Sequence, residues 1–171
     1  MIRTTSHICL GVASLALSQT AIAREIPETS SISFEAPILE EAYKQSPFGM
    51  RQDPFLNRPS WHNGIDLGAD WNAPISAPAS GTIILADTRA GYGKLIELQV
   101  SEDWILRFAH LKEISVVLGE DVEAGDFLGE VGSTGRAAGP HLHLEALYAD
   151  KQYNPEHISG LELYASEKSR D

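Results

Sequence analysis

The sequence contains one cysteine, Cys9, in 171 residues. It sits in an apolar segment close to the N-terminus, so the rest of the chain has neither a disulfide framework nor a thiol nucleophile. Basic residues are also scarce. Thirteen Lys and Arg stand against 24 Asp and Glu, for a net charge of −11. This excludes the basic stripe of a nucleic-acid binder and electrostatic docking on anionic lipid. No apolar run reaches the roughly 20 residues needed to span a bilayer, so no stable membrane anchor is expected. There is no long helical period and no internal repeat of the length found in solenoids.

The first 23 residues read as a cleaved secretory signal. Arg3 gives a weakly positive start, residues 8–17 are apolar, and Ala21-Ile22-Ala23 supplies the small-x-small pattern of a cleavage site. Residues 24–45 read as an N-terminal arm. Within it Ile38, Leu39, Ala42 and Tyr43 recur at helical spacing, which predicts a short helix over 37–44 packed on the domain; two turns are marginal alone. Residues 46–158 form the expected domain, large enough to bury a core without disulfides. Residues 159–171 are a polar tail expected to fray.

From Ser46 onward the chain changes to short alternating runs broken by Gly and Pro. Such runs cover 82–88, 94–100, 104–110, 127–131 and 141–147. Ile96, Leu98 and Val100 share one face; Trp104, Leu106, Phe108 and His110 share another. Period-two alternation with intervening turn residues predicts an all-β fold, a mainly antiparallel twisted sheet or sandwich.

The chemistry lies in the histidines, of which there are six. His7 falls in the signal segment, and His157 reads as a surface residue. In His141-Leu142-His143-Leu144-Glu145, the two histidines and Glu145 share one strand face while Leu142 and Leu144 take the other. That face is either part of a metal site or a polar surface that happens to carry two imidazoles. His62 and Asp66 are both ordinary zinc ligand types, though each also fits a turn, since Gly64 and Gly68 argue against a helix there. His110 closes an apolar strand face and, taken alone, reads as a satisfied core residue. Together they read differently. His62, Asp66 and His143 make three ligands with a fourth tetrahedral position open, the mark of a catalytic rather than a structural zinc site. His110 and His141 are then free to bond water or substrate. No H-E-x-x-H is present, so the helical zincin arrangement is excluded.

At these residues the sequence resembles the lysostaphin/LytM family of zinc endopeptidases, over about 110 residues from Ser46 to about Pro155. The pieces occur in the family's order. Ser46-Pro47-Phe48-Gly49-Met50-Arg51 resembles its opening motif, and His62-Asn63-Gly64-Ile65-Asp66 its H-x-x-x-D motif. Gly91-Tyr92-Gly93 resembles one of its turns, Phe108-Ala109-His110-Leu111 its "YAHL" strand, and Gly139-Pro140-His141-Leu142-His143-Leu144-Glu145 its H-x-H motif. The resemblance implies a LytM-like β fold with zinc bound by His62, Asp66 and His143, and with His110 and His141 as the catalytic pair. It further implies hydrolysis of peptidoglycan peptide cross-links, with D-alanyl–diamino acid bonds as the target, in the periplasm or cell envelope. Phe108, Leu144 and Arg107 depart from the family's usual residues. The competing reading is a regulator of cell-wall hydrolases that shares the fold but not the activity. Such relatives lose ligands or catalytic histidines, and here all five positions are filled. Nothing in the sequence names an activator protein.

Overall fold

The computed structural model describes Pro27 and residues 32–169. The expected signal segment, with His7 and Cys9, lies outside the described residues. The strands in chain order are β1 (Leu39–Ser46), β2 (Gly49–Gln52), β3 (Pro59–His62), β4 (Ile65–Gly68), β5 (Pro74–Ser76), β6 (Gly81–Arg89) and β7 (Gly93–Gln99). They continue with β8 (Trp104–Leu111), β9 (Glu113–Ile114), β10 (Asp121–Val122), β11 (Phe127–Glu130), β12 (Leu142–Tyr148), β13 (Lys151–Tyr153) and β14 (Tyr164–Glu167). Among the described residues the only helical segment is a one-turn 3-10 helix, Pro155–His157, which carries the exposed His157. The fold is all-β and mainly antiparallel, as the alternation predicts.

The main sheet runs β10-β6-β7-β8-β12-β4-β1-β14, with β13 paired to β12. A three-stranded sheet, β5-β11-β9, and the β2–β3 hairpin complete the structure. The core holds Ile75 and Leu128 of the small sheet together with Ile65, Leu67, Ile96, Leu98, Leu106, Phe108, Leu142 and Leu144 of the main sheet. The two sheets thus pack face to face over one apolar layer. On β12, Leu142, Leu144 and Ala146 point into that layer, while His143 and Glu145 point to the opposite face.

The short helix expected over 37–44 does not form; this stretch is strand β1. Its N-terminal half pairs parallel with β14, placing Leu39 opposite Tyr164 and Ala42 opposite Glu167. Its C-terminal half pairs antiparallel with β4, placing Tyr43 opposite Gly68 and Ser46 opposite Asp66. Because the two halves have different partners and a register shift separates Lys44 from Ser46, the buried positions fall at Leu39 and Ala42 rather than in strict alternation. That spacing mimics a helical period. Two strand partners and the burial of Ile38, Leu39 and Ala42 outweigh the weak propensity of an isolated two-turn helix. The same pairing holds residues 164–167 of the expected tail in the sheet.

Candidate metal centre

Asp66 of β4 lies directly opposite His143 of β12 in the antiparallel ladder. His62 ends β3, four residues before Asp66, and the turn between them is built on a close approach. A Cβ on Gly64 would lie 2.2 Å from the Leu144 carbonyl oxygen, which is backbone and has no room to move. Gly64→Ala is therefore expected to destabilise the fold by roughly 1–3 kcal/mol through overpacking, seen as a lowered midpoint in a thermal melt. An unchanged midpoint would show that the turn does not need this contact.

The three side chains converge. Their donor atoms all lie within 4.8 Å of one another. His143 Nδ1 is 2.8 Å from Asp66 Oδ1, and His62 Nε2 is 3.1 Å from both Asp66 Oδ1 and His143 Nδ1. All three residues are buried. Each imidazole has its far nitrogen fixed. His62 Nδ1 donates to the Pro47 carbonyl at 2.8 Å, and His143 Nε2 donates to Glu145 Oε1 at 3.2 Å. These bonds turn the His62 Nε2 and His143 Nδ1 lone pairs toward Asp66, the tautomers that metal ligation requires. Two inward lone pairs and a carboxylate, crowded at about 3 Å, call for a cation between them. Burial alone would raise the Asp66 pKa, yet the adjoining His143 and His62 rings hold its carboxyl well below the usual range. Burial likewise opposes charge on His143, but Asp66 and Glu145 raise its pKa. The group attracts positive charge, and its donor types suit a divalent metal ion.

His110 and His141 stand beside this group. Their ring centroids are 4.8 Å apart, and His110 lies 5.7 Å from His143. His110 Nδ1 donates to the Thr134 carbonyl at 2.8 Å, and His141 Nδ1 to the Gly139 carbonyl at 2.9 Å. His141 Nε2 is 3.7 Å from Asp66 Oδ1, so it faces the metal group. Burial lowers the pKa of both rings, that of His110 to about 4 with further repulsion from His141. In both rings burial favours the neutral form.

Strict alternation along β8 would leave His110 in the core with Leu106 and Phe108. The structure turns it out by a bulge. Lys94 pairs with Leu111 and Ile96 with Phe108, so β8 has one residue more than β7 over this span. His110 takes the left-handed conformation, with φ of 64°, which is strained for a side chain with a Cβ. Leu111 returns to the core at 0% exposure and His110 faces the site. The His110 N–H donates to the Tyr92 carbonyl, which ties the bulge to the 91–93 turn.

Spacing in the sequence does not reveal the layer behind His143. Glu145 is 1% exposed. It accepts from Tyr92 Oη at 2.9 Å and from Arg107 Nη1 at 2.6 Å, and Arg107 Nε is held in turn by Glu97 Oε1 at 2.8 Å. Arg107, a departure from the family pattern, thus neutralises a buried carboxylate that holds His143. Glu145→Gln is expected to weaken metal affinity about 10–100-fold, the usual cost of losing an outer partner of a ligating histidine, measured by competition with a chelating dye. Wild-type affinity would remove Glu145 from the centre.

The metal group and both neighbouring rings open into one groove of about 470 Å³ between the β2–β3 hairpin and the loops at 91 and 136–138. Its size suits a segment of peptide. The molecule is a β protein in which three convergent donor side chains could hold a metal ion at a groove, with two further imidazoles beside them. Comparison with known proteins gives the same class. Residues 60–155 match the model of Peptidase family M23, and the chain belongs to that family. It is 39% identical over 110 residues to the DD-carboxypeptidase/endopeptidase Mpg of Neisseria meningitidis, covering 64% of this chain and 25% of that one. It is 30% identical over 104 residues to the peptidoglycan DD-endopeptidase ShyA of Vibrio cholerae, covering 61% and 24%. The chain spans about a quarter of the length of these relatives. Among solved structures, the catalytic domain of lysostaphin from Staphylococcus simulans superposes with a TM-score of 0.62 at 26% identity, covering 67% of this chain and 90% of that one.

Proposed function

We propose that this protein is a zinc-dependent endopeptidase that hydrolyses peptide cross-links of peptidoglycan, at bonds joining D-alanine to a diamino acid. The observation that carries this reading is the convergence of His62 Nε2, Asp66 Oδ1 and His143 Nδ1 on one point at the floor of a peptide-sized groove. The names of the relatives Mpg and ShyA support the substrate. Residues 1–23 serve as the export signal, and the work is done in the periplasm or cell envelope.

His62, Asp66 and His143 hold the ion; Pro47 and Glu145 fix the two imidazoles that do so. Zinc bound there supplies Lewis acidity, polarising a carbonyl and making water a nucleophile near neutral pH. The chain's own part is proton handling. With Nδ1 committed to a backbone carbonyl, His110 and His141 each present an Nε2 lone pair. Such a ring accepts a proton from the attacking water first, and only then has an N–H to give to the leaving amine. The protonated ring also stabilises negative charge developing on the carbonyl oxygen. The bulge at His110 and the 139–141 loop set the two rings on the open side of the metal group.

The test is digestion of purified murein with and without a chelator. New amino groups are expected to appear, to cease with chelator, and to return on adding zinc; mass spectrometry of the products names the bond. A protein that binds murein but releases no amine under any metal condition is instead the non-hydrolytic regulator.

A further inference from the structure

Arg136 and Asp53 join the two walls of the groove. Asp53 begins the loop between β2 and β3, and its carboxylate is fixed before any ligand arrives. Asp53 Oδ1 accepts from the Phe55 and Leu56 N–H groups at 2.8 Å each. The bond from Leu56 is the main cause that holds Asp53 below the usual carboxylate range. From the opposite wall Arg136 Nη2 reaches both Asp53 oxygens, at 2.9 and 3.0 Å. The guanidinium lies 4.5 Å from the centre of the Phe55 ring. Its backbone N–H is tied to the Gly91 carbonyl at 2.8 Å. Arg136 is therefore held at its backbone, its Nη2 end and one face. Even so, its side chain is 50% exposed, and the donors on Nε and Nη1 have no acceptor among the described residues.

The charges around it sharpen the point. The chain carries a net −11, yet no acid lining this groove is free to repel an anion. Asp53 is bound to Arg136, Asp66 to two histidines, and Glu145 to Arg107, Tyr92 and His143. The cations lining the same space are Arg51, 3.5 Å from Asp66 Oδ2, and Arg136. An immobilised guanidinium with spare donors is a ready partner for a carboxylate, because little freedom is lost when the bond forms.

We propose that Arg136 is a specificity-determining residue that binds a free carboxylate of the peptide substrate near the cleaved bond, with Asp53 and Phe55 positioning it. This rests on the reading of the groove as a peptidase site. It gives that site a preference for acidic peptides over the same peptides amidated.

The test uses the zinc-loaded full chain and two synthetic peptides, identical except that the residue beside the scissile bond carries a carboxylate in one and a carboxamide in the other. Binding is measured by calorimetry on versions with an N-methylated scissile bond, and KM and kcat on the ordinary versions. The wild type is expected to favour the acid about tenfold or more in Kd and in KM, the scale of one charge-assisted hydrogen bond. In Arg136→Gln this ratio is expected to fall to near one, and Arg136→Lys to restore part of it. A wild type that binds acid and amide equally, or binds neither, overturns the proposal. So does an Arg136→Gln variant that keeps the wild-type ratio while melting lower, which is what a purely structural clasp gives. Selective binding of the acid without hydrolysis of any peptide supports Arg136 and defeats the peptidase reading. Hydrolysis without selectivity does the reverse.

Discussion

His141→Ala is expected to keep wild-type metal content while losing about 10²–10⁴-fold in the rate of murein hydrolysis, the range of a positioned general acid–base group. The basis is geometric. His141 Nε2 lies 3.7 Å from Asp66 Oδ1, farther than either ligand nitrogen, and its Nδ1 is committed to the Gly139 carbonyl. The ring is therefore expected to border the metal ligands without being one of them. His110→Ala is expected to behave alike, since His110 Nδ1 is committed to Thr134 in the same way. Removing both rings should cost little more than removing one if they act as a unit. The measurements are metal content by elemental analysis and amine release from murein. Loss of metal in His141→Ala would move it into the ligand set; full activity would remove it from the chemistry.

The second large effect is expected at the metal itself. His143→Ala should lose the ion outright, a larger change than the roughly 10–100-fold cost of losing an outer partner. His143 Nδ1 is the donor nearest Asp66, at 2.8 Å, and β12 places it opposite Asp66 in the ladder. Without it a buried carboxylate and one imidazole remain, too few to fill a zinc site. Asp66→Asn is a second variant that alters the side chain less and keeps its hydrogen-bonding shape. Both should remain folded, as circular dichroism checks, because the apolar residues Leu142 and Leu144 of β12 and Ile65 and Leu67 of β4 are untouched. Metal retained at wild-type affinity by both variants would contradict the assignment.

The parts of this site that lie on regular strand were legible in the sequence. Period two places His143 and Glu145 on one face of β12 and Leu142 and Leu144 on the other, as the structure has them. His110 shows the limit of that rule. Alternation along residues 104–110 assigns it to the core, and only its combination with the other histidines, together with the family resemblance, points to the site. The bulge that turns it out depends on pairing with β7, which has no local signature, and on a backbone bond to the 91–93 turn. The helix expected over 37–44 failed for a related reason. A strand that changes partners midway buries residues at uneven spacing, and unevenness reads as a helical period. The ties between distant segments were invisible. Tyr92, Arg107 and Glu145 are 53 and 38 positions apart along the two bonds that join them, and Asp53 and Arg136 are 83 apart. No spacing rule reaches across such gaps. The sequence does carry a trace of the first network in Arg107, a charge on the strand face opposite the apolar one, which needs a partner once buried.

Anomalous X-ray scattering at the zinc edge, from crystals grown with one equivalent of zinc, is the most direct check on the metal centre. A single strong peak is expected at the point shared by His62 Nε2, the Asp66 carboxylate and His143 Nδ1. A peak seated on other side chains, with none at that point, would contradict the account.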